Sequence, residues 1–100
     1  MNFLQSYSKD IFSLCARHNV KSLYAFGSVL TDRFNENSDV DLVVDFYPSD
    51  VATYADNYYD LKFSLEDTLN RPVDLLEDKA IKNPYFKKSL QRQRQLIYGQ

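Results

Sequence analysis

The chain is poor in the residue types on which several kinds of functional site depend. It contains one cysteine, Cys15, and one histidine, His18. The single cysteine excludes an intramolecular disulfide and a cysteine-rich zinc site. The single histidine excludes a metal site built from several imidazoles, and we expect both residues to serve packing and not chemistry.

Long apolar runs are absent as well. No stretch approaches the roughly 18 residues that a membrane-spanning helix needs, and the N-terminal segment carries charge too early for a signal peptide. The hydrophobic fraction of 44% is typical of a folded protein and too high for disorder. We therefore expect a soluble, cytoplasmic protein that forms one domain over residues 1–100 and has no membrane partner.

Charge is distributed unevenly along the sequence. Residues 1–78 contain six basic and all fourteen acidic residues, a net charge of −8, whereas residues 79–100 contain six basic residues and no acidic one. This pattern is typical of a cation-binding carboxylate site beside a segment that attracts anions, or of two regions that screen each other. Nucleic acid is disfavoured as the main partner because residues 1–78 are net acidic and the net positive charge is confined to residues 79–100.

Apolar periodicity predicts alternating helices and strands. The predicted helices span residues 2–18, 50–70 and 84–93, with a short helical turn opening at Ser28, and the predicted strands span residues 20–26, 39–47, 73–76 and 95–98. The predicted fold class is α+β, with a three- to four-stranded mixed sheet flanked by helices.

The strand over residues 39–47 has one apolar face and one acidic face. Alternation places Asp39 and Asp41 on the same side, with Cα atoms about 6.5 Å apart. Two ionised carboxylates at this distance repel each other unless a positive charge lies between them. Mg²⁺ prefers oxygen ligands and commonly uses one or two carboxylates together with substrate phosphates. The pair therefore predicts a divalent-cation site, while Asp45, further along the same face, is expected to be structural.

Asp74 is the third candidate ligand. It lies on the short strand over residues 73–76, which follows the strand over residues 39–47 through a helix, so the two strands run parallel if they pair in one sheet. Asp74 then joins Asp39 and Asp41, provided that its side chain points to the same face of the sheet.

Gly27 and Ser28 follow the first predicted strand. Glycine lets the backbone approach a ligand closely, and a serine at a helix start offers its hydroxyl and nearby N–H groups to an anion. This turn is the candidate phosphate-binding element.

These residues form a recognisable motif: Gly27-Ser28, ten intervening residues, then Asp39-Val40-Asp41, with Asp74 later in the segment VDLLE. In this motif the sequence resembles the DNA polymerase β-like nucleotidyltransferase superfamily over roughly residues 20–100, and its size is similar to that of the minimal nucleotidyltransferases. The resemblance implies that Asp39 and Asp41 ligate Mg²⁺. It also implies that Asp74 helps to bind a second ion and activates the acceptor hydroxyl, and that Gly27 and Ser28 hold the triphosphate of ATP.

The sequence departs from this family directly after the glycine-serine pair, where many minimal members have an arginine. Here the chain continues Val29-Leu30-Thr31-Asp32-Arg33. One interpretation is that Arg33, a few residues further along, takes the place of that arginine and contacts phosphate.

The minimal nucleotidyltransferases that this chain resembles act as antitoxins beside a HEPN-domain RNase toxin. The resemblance implies AMP transfer from ATP to a tyrosine of such a toxin. Two alternatives stay open: transfer to a small molecule such as an aminoglycoside, with a separate helical subunit, or a non-catalytic module that neutralises its partner by occlusion. An EF-hand calcium loop starting at Asn35 is excluded, because it needs glycine at Val40 and glutamate at Phe46.

Overall fold

The computed structural model describes residues 3–99, and these residues form one mixed sheet with helices on both faces. The strands are β1 (Val20–Phe26), β2 (Val40–Phe46), β3 (Val73–Glu77) and β4 (Gln95–Gly99), and the α-helices are α1 (Ser8–Arg17), α2 (Val51–Leu69) and α3 (Pro84–Gln93). Short 3₁₀ helices span Phe3–Tyr7, Gly27–Leu30 and Asp78–Ala80. The predicted α+β fold with a mixed sheet is confirmed, with four strands.

The strands lie in the order β3-β2-β1-β4. β1 runs antiparallel to both β2 and β4, whereas β2 and β3 are parallel. The parallel pair results from α2, because a helix that crosses over the sheet returns the chain in the same direction. The parallel pairing expected from the sequence is therefore confirmed.

One face of the sheet packs against α1 and α2 and forms the main core. Leu61, Leu65 and Leu69, spaced four residues apart on α2, are at most 2% exposed. They join the apolar face of β2 and the buried side of α1 in one cluster. Burial in this cluster raises the pKa of the Cys15 thiol to about 12, which keeps the thiol protonated and unreactive.

Both ends of α2 are fixed by local chemistry. The Asp50 side chain accepts a hydrogen bond from the Thr53 N–H at 2.7 Å, which satisfies a free donor of the first turn. At the other end Asn70 adopts a left-handed conformation with φ 54°, a common way for a helix to stop. No helix within residues 3–99 has the length and apolar character that a membrane span requires.

The N-terminal segment differs from the predicted helix over residues 2–18. Residues Phe3–Tyr7 form a 3₁₀ helix and the α-helix begins only at Ser8, while residue 2 lies outside the described residues. The reason is tertiary: the Phe3 ring lies 5.2 Å from the ring of Phe34, in the loop before β2. A long-range contact thus overrides the local helical pattern.

Candidate active site

Three strands bring Phe26, Asp41 and Asp74 side by side. Phe26 is paired with Asp41 across β1 and β2, and Asp41 is paired with Asp74 across β2 and β3. Residues paired in this way project to the same face of a sheet. Asp74 therefore lies on the face of Asp41, which is the geometric condition that the sequence motif requires. Asp39 lies two positions before Asp41, immediately ahead of β2.

The three aspartates affect one another electrostatically at Asp41. Partial burial raises the pKa of Asp41, and the charges of Asp74 and then Asp39 raise it further. Each effect disfavours the ionised form of Asp41. A cation at this position would relieve the repulsion, so the electrostatics of the site suit a positively charged ligand.

The donor set suits magnesium in particular. Among residues 3–99, no three carboxylate, imidazole or thiol groups already enclose a position for a metal ion. Mg²⁺ does not need such a cage, because it commonly takes one or two carboxylates and completes its coordination with phosphate oxygens and water. Asp41, with Asp39 and Asp74 close by, provides carboxylate oxygens of the required kind.

The turn after β1 lies directly against Asp41. Gly27 has φ +75°, and a Cβ at this position would lie 2.5 Å from Oδ2 of Asp41. The carbonyl oxygen of Ser28 accepts hydrogen bonds from the N–H and the hydroxyl of Thr31, both at 2.9 Å. These bonds close the turn while Gly27 leaves room for its backbone to approach the carboxylate. The candidate phosphate-binding turn and the candidate metal ligands are thus adjacent.

Arg33 lies in the loop between this turn and β2, and its side chain is exposed. Its N–H donates to the hydroxyl of Thr31 at 3.2 Å, and its carbonyl oxygen accepts from the Asn35 side chain at 3.1 Å. These bonds fix the backbone at Arg33. A phosphate contact by its guanidinium stays a prediction.

The basic C-terminal segment covers the sheet face that carries the aspartates. The Phe86 ring lies edge-on to the Phe26 ring, with centroids 6.5 Å apart, and Leu90 of α3 is buried. Nζ of Lys79 lies 3.6 Å from Oδ1 of Asp45, so Asp45 forms an ion pair on this face, consistent with a structural role. Positive charge therefore lies on the same face as the acidic site.

Arg71 is a further residue that sequence reasoning did not identify. Its Nη1 donates to the carbonyl oxygens of Asn35, at 2.6 Å, and Ser38, at 3.2 Å. Its guanidinium also lies 4.8 Å from the ring centre of Phe3 and 4.4 Å from that of Phe34. Arginine suits this environment because its planar group can donate hydrogen bonds and stack on aromatic rings together.

These contacts join the two segments that carry the aspartates. Arg71 lies three residues before Asp74, and one of its acceptors, Ser38, directly precedes Asp39. Beside it, the Val40 N–H donates to the Pro72 carbonyl oxygen at 3.0 Å. The sequence offers only a weak signal for this connection, namely an arginine between a predicted helix and the strand that carries Asp74.

A mixed sheet that sets paired carboxylates against a glycine turn is typical of enzymes that act on nucleotide phosphates. Residues 10–97 match the family described as "Nucleotidyltransferase domain". The chain belongs to this family and is a nucleotidyltransferase.

Two curated relatives are proteins of Methanocaldococcus jannaschii, each named "putative protein adenylyltransferase". One is 40% identical and the other 38% identical over 82 residues, which are 82% of this chain and 79% of either relative. A solved structure described as a "putative minimal nucleotidyltransferase" has a TM-score of 0.78 at 29% identity and covers 95% of both chains.

Two solved complexes share the fold at lower identity. A toxin–antitoxin structure with AMP-PNP has a TM-score of 0.72 at 21% identity and covers 93% of this chain and 73% of that one. A structure of a tri-AMPylated Shewanella oneidensis HEPN toxin in complex with MNT antitoxin has a TM-score of 0.66 at 20% identity. The match covers 96% of this chain and 72% of that one. At these identities the likeness establishes the fold alone.

The contact between Gly27 and Asp41 predicts the effect of adding a side chain. Gly27→Ala should destabilise the fold by about 1–2 kcal/mol through its left-handed backbone and should also weaken ATP binding, measured by calorimetry with MgCl₂. Gly99→Ala is a more disruptive control, because Gly99 also has positive φ but a Cβ there would clash more closely, with the backbone carbonyl oxygen of Lys21. It should cost more stability than Gly27→Ala, while the fraction that folds keeps its ATP affinity. Wild-type ATP affinity in folded Gly27→Ala would exclude the turn from the nucleotide site.

The raised pKa of Asp41 predicts a pH-dependent cost to stability in metal-free protein. The pKa of Asp41 is higher in the folded chain than in the unfolded chain, so protonated Asp41 favours the folded state. This contribution to stability is lost as the pH rises through the folded-state pKa. Asp41→Asn should therefore increase the free energy of unfolding at pH 7, and the gain should vanish below the ordinary aspartate pKa of about 3.9. Urea denaturation in EDTA between pH 3 and 8 measures this. Asp67→Asn, on the exposed side of α2, should show no such trend.

The contacts of Arg71 predict that lysine cannot replace it. Arg71→Lys keeps the charge but loses the paired hydrogen bonds and the planar stacking, so we expect faster amide hydrogen exchange in residues 35–39 and a lower rate of nucleotidyl transfer. Mass spectrometry and a turnover assay measure the two effects. Arg17→Lys, at the exposed end of α1, is the control. Unchanged exchange and turnover in Arg71→Lys would show that the contacts of Arg71 do not position the site.

Proposed function

We propose that this protein transfers AMP from ATP, in a Mg²⁺-dependent reaction, to a tyrosine of a HEPN-type RNase toxin, and so acts as its antitoxin. The observation that carries the proposal is the pairing of Asp41 with Asp74, with Gly27 packed against Asp41. The support it gives is that Asp41, the candidate metal ligand, lies directly against the turn that would bind phosphate.

The comparisons support the choice of nucleotide and acceptor. The curated relatives are named for adenylyl transfer to proteins. Among the proteins that share the fold, one toxin–antitoxin complex was solved with AMP-PNP, and another contains an AMPylated HEPN toxin bound to its MNT antitoxin. ATP as the substrate and a toxin as the acceptor are the simplest assignments consistent with these relatives.

Each site residue then has a role that follows from its position. Asp39 and Asp41 would hold Mg²⁺ at the start of β2, and Asp74 would complete the binding of a second ion. Gly27 and Ser28 would bind the triphosphate through the turn, with Arg33 as a further phosphate contact. Bound magnesium would offset the negative charge of the triphosphate and of its leaving group.

The reaction is an in-line displacement at the α-phosphorus of ATP. The acceptor oxygen forms a new ester bond to this phosphorus, while the bond from it to the oxygen bridging the α- and β-phosphates breaks. Pyrophosphate leaves with the electron pair, and Asp74 accepts the proton of the acceptor hydroxyl. Partial burial of Asp41 favours this chemistry, because charge interactions are stronger where water is excluded.

A mass-spectrometric assay tests the proposal. The protein is incubated with ATP, MgCl₂ and a HEPN-domain protein, for which the product of the adjacent gene is the first candidate, and intact masses are measured. We expect the acceptor to gain mass in multiples of AMP, the gain to disappear in EDTA, and Asp74→Asn to lower the rate by roughly 10²- to 10⁴-fold. Asp45→Asn, on the same face of β2 but outside the cluster, should keep its activity.

Other outcomes of this assay identify the alternatives. AMP transfer to a free aminoglycoside, with none to the protein, would indicate a small-molecule enzyme. Full neutralisation of the toxin by the double variant Asp39→Ala with Asp41→Ala, without AMP transfer, would indicate occlusion. Either result would overturn protein adenylylation as the function.

A further inference from the structure

The outward side of α2 is unusual in composition. From Ala55 to the end of the helix, every exposed position carries an acidic, aromatic or alanine side chain: Ala55, Asp56, Tyr59, Asp60, Phe63 and Asp67. The lysine and the uncharged polar residues of this part of the helix, Lys62, Asn57, Ser64 and Thr68, are only partly exposed. We refer to the six exposed residues as the acidic aromatic surface.

Two aromatic rings form the apolar centre of this surface. Tyr59 and Phe63 are each 55% exposed, and their rings stack with centroids 6.2 Å apart and an interplanar angle of 27°. Stacking on each other leaves the outer part of both rings in water. Exposed aromatic residues bordered by charge are characteristic of protein interfaces, where a buried aromatic centre is surrounded by a polar rim.

Two contacts connect the surface to β3, the strand that carries Asp74. The Tyr59 ring lies 5.1 Å from the ring of Tyr58, edge to face. The Tyr58 hydroxyl donates a hydrogen bond to the carbonyl oxygen of Leu75 on β3, the residue that follows Asp74. Because β3 is an edge strand, a protein bound to α2 can reach past this edge towards Asp74.

We propose that the acidic aromatic surface docks the protein acceptor, and that the acceptor binds it with lysine or arginine side chains around an apolar centre. This inference rests on the proposed function, since it assigns a docking surface to the acceptor of that reaction. Charge complementarity determines the chemistry of the partner, because Asp56, Asp60 and Asp67 attract cations and repel another acidic surface. The aromatic pair supplies the apolar contact area.

A second copy of this chain fits the surface less well. The cationic aromatic helix of the chain is α3, with Tyr85, Lys88 and Arg92 exposed, and it lies on the opposite face of the sheet from α2. Contact between α2 of one copy and α3 of another would be head to tail, which generates open chains of molecules unless the rotation closes a ring. A separate acceptor protein forms a closed complex with no such requirement.

The test compares a protein acceptor with a peptide acceptor. The probes are the HEPN-domain protein used above and a short synthetic peptide that contains its modified tyrosine. The peptide lacks the surface of the folded acceptor that would bind α2. For Tyr59→Ser with Phe63→Ser we expect the KM for the protein to rise about tenfold or more, with kcat and the peptide rate unchanged. Asp56→Lys with Asp60→Lys should raise the same KM, and added salt should weaken wild-type binding.

Tyr47→Ser is the matched control, because Tyr47 is 52% exposed but lies outside this surface. Thermal denaturation checks that each variant is folded, as expected for substitutions at exposed positions. An unchanged KM for the protein in both double variants would overturn the proposal, as would wild-type self-association that the aromatic variant abolishes without affecting transfer.

The proposed function can fail separately. If wild-type protein transfers no AMP, calorimetric binding of the HEPN-domain protein still tests the surface: loss of binding in the aromatic variant supports docking there, and unchanged binding overturns it.

Discussion

The structure depends on the parallel pairing of β2 with β3, which holds Asp41 next to Asp74 against their mutual repulsion. Like charges at neighbouring positions of a sheet are destabilising, so another interaction must offset this cost. That interaction is the core on the opposite face of the same strands, where Leu61 and Leu65 are fully buried beneath β2 and β3. The helix that creates the parallel crossover is therefore also the helix that stabilises it.

A chain with one cysteine must fix its loops without a disulfide, and two arginines do so here. Arg71 binds two carbonyl oxygens while lying against two aromatic rings. Arg94 is similar, since its guanidinium lies 3.8 Å from the ring centre of Tyr24 and 3.5 Å from Oδ1 of Asp78. Arg71 connects the segment after α2 to the loop before β2, and Arg94 connects the end of α3 to β1 and to the 3₁₀ helix after β3.

The sequence predicted the elements well where local periodicity determines them. The bounds of β1 agree with the prediction, and α2 differs from it by one residue at each end, because alternation, the Asp50 cap and the Asn70 stop are local signals. The pairing of Asp41 with Asp74 was only conditional, since register depends on how the crossover packs. The start of α1 and the contacts of Arg71 were not predictable, because both depend on partners more than thirty residues away.

The segregation of charge gives the two sides of the sheet different binding properties. Lys79 and α3 lie on the face of the aspartates, where their positive charge counteracts the repulsion between an acidic site and an anionic nucleotide. The exposed side of α2 is mainly negative, because from Ala55 to Leu69 its fully exposed charged residues are all acidic and Lys62 is only partly exposed. In a chain with a net charge of only −2, the proposed triphosphate site and the proposed docking surface for a cationic protein therefore lie on opposite faces of the sheet. The proposed function requires a nucleotide and a protein acceptor to meet at the edge strand β3, which carries Asp74.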